Sequence, residues 1–158
     1  MALGSNLPGQ YASTRDLLEA ALGAFEAEGL RVIARSSWWR SAAWPDPAAP
    51  AYLNGVVVVE TSLGPREVLH ALHAIERRFG RERHVANAPR TLDLDLIAYG
   101  REIADDGVTL PHPRAHERRF VMGPLAEIAA GWVHPKLRQT AENLAASAEI
   151  GMDAAPIA

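Results

Sequence analysis

Between Ser13 and Glu28 the apolar residues Leu17, Leu18, Ala21, Leu22 and Phe25 recur at helical spacing and Gly29 stands as a stop, which predicts an amphipathic helix with one face on a sheet. The β-branched and aromatic run from Arg31 to Trp39 and the valine run from Gly55 to Thr61 predict two strands. Trp44 to Pro50, rich in proline, separates them. A second helix is predicted from Pro65, a residue suited to the first helical position; Val68, Leu72, Ile75 and Phe79 form its apolar face and Gly80 ends it. Glu76 lies at the border of that face.

From Gly80 to Pro89 the chain is polar, rich in arginine and without period, and Thr91 to Tyr99 then alternates cleanly, as a strand does. Asp105-Asp106-Gly107 predicts a turn, Phe120 to Ala130 a short helix interrupted near Gly123-Pro124, and Leu137 to Ile150 a closing amphipathic helix. No repeat or low-complexity segment breaks the series. Its order, strand, helix, strand, strand, helix, strand, predicts an α+β sandwich of helices over a mainly antiparallel sheet, like the split βαβ arrangement.

Length and composition narrow the picture. At 158 residues the chain is expected to form one domain, residues 1–158, and 48% hydrophobic with 22% charged residues excludes a disordered tail. A net charge of -3 opposes a nucleic-acid or anionic-membrane partner, so phosphate chemistry must be local. With no cysteine, thiol catalysis and zinc-thiolate sites are excluded, and Lys136, the only lysine, leaves no P-loop lysine near the N-terminus. No run approaches the roughly 18 apolar residues of a membrane span, and no signal segment is visible, so a cytoplasmic protein is expected.

The densest chemistry lies in Pro89-Arg90-Thr91-Leu92-Asp93-Leu94-Asp95-Leu96. In a strand the three leucines point to one side while Asp93 and Asp95 share the other, roughly 6.5 to 7 Å apart at their backbones. Two like charges on one face repel unless a cation neutralises them, and hard oxygen ligands suit magnesium completed by water and phosphate. An edge strand with two solvated aspartates that discourage aggregation explains the motif by itself equally well. Arg90 shifts the balance toward phosphate, and Arg77, Arg78, Arg81, Arg83, Arg114, Arg118 and Arg119 cluster around the strand. Arg77 and Arg78 are adequately explained as cations at a helix C-terminus. Tyr52, Asn54, Trp44 and Phe120 could form a flat slot with polar edges for a heteroaromatic ring, although aromatics beside valine strands are commonly plain core.

Taken together, these residues resemble the 6-hydroxymethyl-7,8-dihydropterin pyrophosphokinase family of folate biosynthesis, from Ala2-Leu3-Gly4-Ser5-Asn6-Leu7 to about Pro135. The most specific match is P-R-T-L-D-L-D-L at 89 to 96. It is supported by Tyr52-Leu53-Asn54 before the valines, Glu76 with Gly80-Arg81-Glu82-Arg83, and Pro111-His112-Pro113-Arg114 leading to Glu117-Arg118 and Phe120. The resemblance implies a ferredoxin-like sandwich with helices on both faces of the sheet, and transfer of pyrophosphate from ATP to the pterin alcohol, giving AMP. It implies that Asp93 and Asp95 hold two Mg2+ ions, that Arg81, Arg83, Arg90 and Arg118 contact the triphosphate, and that Glu76 and His112 contact nucleoside or phosphates. Tyr52 and Phe120 match ring-stacking positions and Asn54 one that reads the pterin edge, while Ser41 and Ala42 fall in a loop that touches the pterin mostly through backbone. Many members begin with a longer first strand and carry a tryptophan where Asn87 stands here; Ala42 and Pro113 also depart from common members.

Arginines and metals that neutralise a leaving AMP make positioning and electrostatics the dominant catalytic terms, with loop Gly80 to Pro89 expected to close as a lid. A monomer acting on pterin and ATP, without nucleic acid or membrane, is the resulting expectation. An RNA-binding module would stack bases on sheet aromatics, and a metal-dependent phosphohydrolase would pass phosphate to water; the acidic balance and paired aspartates oppose the first.

Overall fold

A computed structural model describes residues 1–43, 46–80 and 91–157. Its scaffold is an antiparallel sheet built from β1 (Ala2–Ser5), β2 (Arg31–Arg35), β3 (Trp39–Ser41), β4 (Tyr52–Glu60), β5 (Asp93–Asp95) and β8 (Ala155–Pro156). The strands lie in the order β5-β1-β4-β3-β8, with β2 pairing beside β3 on β4. Counting β2 and β3 as one broken strand, this is the antiparallel order of a split βαβ sandwich. A small hairpin, β6 (Ala104–Asp105) with β7 (Thr109–Leu110), turns through Gly107 as the Asp-Asp-Gly signal predicts.

The helices are α1 (Thr14–Gly23), α2 (Pro65–Arg78), α3 (Arg119–Ala129) and α4 (Ala141–Ser147). They cover both sheet faces and create two cores. Leu3, Val57, Leu92 and Leu94 bury against α1 and α2 through Leu18, Leu72 and Ile75, whereas Ala2, Val56 and Ile97 bury against α3 and α4 through Val121, Met122 and Leu144. The period of two along each strand thus sends neighbouring residues into different cores.

Several boundaries differ from the sequence expectation. The first helix stops at Gly23 and a 3-10 turn over Glu26–Glu28 carries the chain to Gly29, whose φ of 83° makes the stop. The strand predicted from Arg31 to Trp39 breaks, because Ser36 Oγ accepts the Val56 N–H that a backbone carbonyl would otherwise take. The break turns Trp38 into the α1/α2 core and Trp39 toward α3. Helix α3 runs unbroken through Gly123-Pro124, contrary to the expected interruption. Gly123 is a point of close approach: a Cβ there would lie 2.5 Å from the Trp39 ring, and burial of Val121, Met122 and Leu125 outweighs the ~3 kcal/mol an interior proline costs. The closing helix shrinks to α4, capped by Thr140 Oγ1, which accepts the Asn143 N–H. After β5 the alternation continues, but Ile97 O accepts from His112 N and so leaves the sheet ladder.

His134, 6% exposed, ties the connection before α4: its Nδ1 accepts the N–H groups of both Lys136 and Leu137. Burial, then the neighbouring His116 and Lys136, lower its pKa below the usual 6.5. As pH falls through 6.5 the unfolded chain takes up the proton first, so this group's contribution to stability is complete above that pH and is lost as the pH drops toward the folded pKa. Urea unfolding measured between pH 7.5 and 5 is expected to show a smaller loss for His134→Asn, which keeps an acceptor and does not titrate; identical pH profiles would refute the assignment.

Candidate active site

On β5 the leucines and aspartates part as the alternation predicts. Leu92 and Leu94 are buried under α2, and Asp93 and Asp95 sit half-buried on the opposite face. β5 is an edge strand, and its Leu94 N–H is taken by Glu76 Oε2 at 2.9 Å. Glu76 itself is 1% exposed, so α2 grips the strand midway between the two aspartates.

Register brings the rest of the face together. Asp93 lies across from Gly4, Gly4 from Asn54, and Asn54 from Trp39; the next pair on that face is Ser41 with Tyr52. All of these but Trp39 floor a cleft of about 350 Å3 that Ala42, Arg114, Arg118, Phe120 and Ile150 complete. Gly4 contributes by having no side chain, since a Cβ there would lie 3.3 Å from Asn54 Oδ1. Asn54, 6% exposed, donates from Nδ2 to Ser41 Oγ at 2.9 Å, which fixes its amide in the floor. At the rim the Arg118 guanidinium lies 6.0 Å from the centre of the Phe120 ring. The cleft therefore offers two aromatic side chains, Tyr52 and Phe120, a buried amide and a carboxylate, the groups a planar polar heterocycle needs.

A second cleft, of about 400 Å3, has Asp95 and His112 in its lining together with Leu69, Thr109 and Pro113. The two aspartates of one strand thus face two different clefts. His112 Nδ1 accepts the Arg114 N–H at 3.2 Å, which leaves the ring proton on Nε2. Burial lowers its pKa first, the Arg118 and Arg114 cations add to the shift, and Asp93 opposes it. The imidazole is consequently a neutral donor near pH 7. A further cavity of about 430 Å3, between α3 and the far end of β4, is larger but lined mainly by apolar residues, among them the β4 valines, Leu125 and Trp132; it contains none of the predicted site residues.

Among the described residues no group of three or more His, Asp or Glu side chains could enclose a metal ion. A carboxylate pair is the donor set for an ion that takes only one or two protein oxygens and draws the rest of its shell from water and phosphate, as magnesium does. Asp93 and Asp95 fit that description.

Of the residues the sequence singled out, Ser41, Ala42, Tyr52, Asn54, Asp93, Arg118 and Phe120 share the first cleft, and Asp95 and His112 share the second. Glu76 stands behind β5, with its described hydrogen bond spent on the strand. Trp44, Arg81, Arg83, Asn87, Arg90 and the predicted lid fall outside the described residues. The sequence presents Gly4 only as part of the matched N-terminal stretch and Ile150 only as the end of a predicted helix, whereas both line the first cleft. Only the register with Asn54 and Asp93 reveals Gly4, and no local signal marks Ile150.

An α+β sandwich that places one aspartate of a strand in each of two clefts has the outline of an enzyme handling two small molecules. Residues 1–130 match the family model of 7,8-dihydro-6-hydroxymethylpterin-pyrophosphokinase, and the chain belongs to that family. It is 45% identical over 136 residues to a 2-amino-4-hydroxy-6-hydroxymethyldihydropteridine pyrophosphokinase of Synechocystis, covering 85% of this chain and 69% of that one. The identity to the enzyme of the same description from Pseudomonas aeruginosa is 39% over 162 residues, 99% and 95% of the two chains. A mitochondrial folate synthesis bifunctional protein of Arabidopsis thaliana is 34% identical over 97% of this chain, which spans only 30% of the plant protein. The activity is accordingly that of a pyrophosphokinase on the hydroxymethyldihydropterin in folate biosynthesis, with ATP as cosubstrate.

Proposed function

We propose that the first cleft holds the pterin, that the second receives the ATP phosphates, and that Asp93 and Asp95, one in each cleft, hold two magnesium ions. The observation that carries this reading is the division of one carboxylate pair between two clefts of different character. Phe120 and Tyr52 bracket the ring, Asn54 and Ser41 read its polar edge, and Ala42 adds backbone. Arg118 and neutral His112 donate to phosphate oxygens, and Arg81, Arg83 and Arg90 add fixed positive charge. The guanidinium groups suit the task because their geometry is bidentate and their charge is permanent.

In the reaction the pterin hydroxymethyl oxygen forms a bond to the β-phosphorus of ATP, the bond from that phosphorus to the α-β bridging oxygen breaks, and AMP leaves with the electron pair. The hydroxyl proton is released to solvent. Bound magnesium would supply charge neutralisation on the phosphate oxygens. The protein's own residues align acceptor and donor and stabilise the charge on AMP, which is where phosphoryl-group transfer gains its rate.

Incubation with ATP, magnesium and the pterin alcohol is expected to give AMP and the pterin diphosphate in equal amounts. Release of ADP would refute pyrophosphoryl transfer, and AMP formation without pterin would show transfer to water. Among the described residues no helix is long and apolar enough to cross a membrane. The expected action as a monomer in the cytoplasm is part of the same proposal.

A further inference from the structure

We infer that the segment after α4, residues 148–157, forms a wall of the pterin cleft and that Asp153 is a positioning residue for it; this rests on the assignment of that cleft to the pterin. The family match ends at residue 130, well before the segment. The segment nevertheless joins both sides of the cleft. On one side Ile150 N donates to Glu117 O and Ile150 O accepts from Arg119 N, both at 2.9 Å, and Arg119 Nε donates to Ala154 O. On the other side β8 pairs with β3, and Ile157 N donates to Trp38 O. At the first of these anchors Ile150 itself lines the cleft.

Two residues of the segment set the slot's width. Gly151, at φ 72°, lies against the aromatic wall, where a Cβ would come within 2.6 Å of Phe120 Cδ1. Asp153 Oδ2 accepts the Ala42 N–H at 2.7 Å and so fixes the chain just beyond the end of β3, on the cleft wall that also contains Ser41. Phe120 and Ala42 are thereby referred to one short stretch of chain. A slot whose walls are set before the ligand arrives avoids ordering them on binding, and that saving appears as affinity for the ring.

The test measures pterin and ATP affinities by calorimetry, and steady-state kinetics, for Asp153→Ala, Asp153→Asn and Gly151→Ala, with Phe120→Ala as reference. Asp153→Ala is expected to weaken pterin binding about 3- to 10-fold, the effect of one charge-assisted hydrogen bond at an exposed position, and to raise the pterin KM more than it lowers kcat. Asp153→Asn retains an acceptor oxygen and restores most of the affinity, and Gly151→Ala, which must displace the ring, weakens pterin binding at least as much. ATP affinity stays within twofold throughout. If Asp153→Ala leaves pterin affinity intact while Phe120→Ala lowers it, the positioning role is wrong and the pterin cleft stands. Equal losses for ATP and pterin, or no rescue by asparagine, would also overturn the proposal. If Phe120→Ala too leaves the pterin unaffected, the cleft assignment itself fails and the proposal with it.

Discussion

Asp95→Ala is expected to reduce the rate of AMP formation at saturating substrates by about 100-fold or more, the scale on which a metal's charge stabilisation enters a transition state. The reason lies in placement. Asp95 lines the cleft proposed for the nucleotide phosphates, while Asp93 lines the one proposed for the pterin, so its removal changes the proposed donor site and leaves the lining of the acceptor site whole. The fold is expected to survive, because the substitution removes a half-buried carboxylate from a face where two like charges stand side by side, and Glu76 still holds the Leu94 N–H. Circular dichroism and calorimetric pterin binding to the purified variant check those two conditions. A folded variant that keeps most of its activity in magnesium would show that the aspartates are a solvated edge, the competing account of the motif.

Phe120→Ala should weaken pterin binding by about 1 to 3 kcal/mol, the range for loss of one base–aromatic stack, with a smaller effect on ATP. The ring stands at the start of α3, packed against the α3/α4 core with the Arg118 guanidinium over it, and Gly151 allows the next segment to press against it. Calorimetry with each ligand separates stacking from packing. A stack predicts a pterin-selective loss; a ring that belongs only to the core would lower thermal stability and affect the two ligands alike.

These effects also show how far the sequence reaches. The division of Leu92, Leu94 and Leu96 from Asp93 and Asp95 was legible because a strand's period of two is local: it needs only the backbone, and the structure sends the leucines into one core and the aspartates to the opposite face. The order of elements was legible for the same reason, since amphipathic spacing and glycine stops act within a few residues. Strand breaks were not. The strand divides at Ser36 because its hydroxyl meets Val56, a residue 20 positions away, and α3 passes through Gly123-Pro124 because burial of Val121, Met122 and Leu125 outweighs the proline while Gly123 leaves room for Trp39. The residues of the candidate site were nameable one by one, mostly through resemblance, but their grouping into two clefts depends on the register of β1, β4 and β5. Gly4 matters through Asn54 and Asp93, which local spacing cannot connect to it. Asp153 and Gly151 lie in a stretch with no periodicity and matter only through Ala42 and Phe120. The main helices, the valine strand and the chemistry the chain carries follow from short-range backbone geometry and side-chain type, and so could be read from the sequence. Tertiary structure alone decided which of those groups share a cleft, because that depends on contacts between residues tens of positions apart.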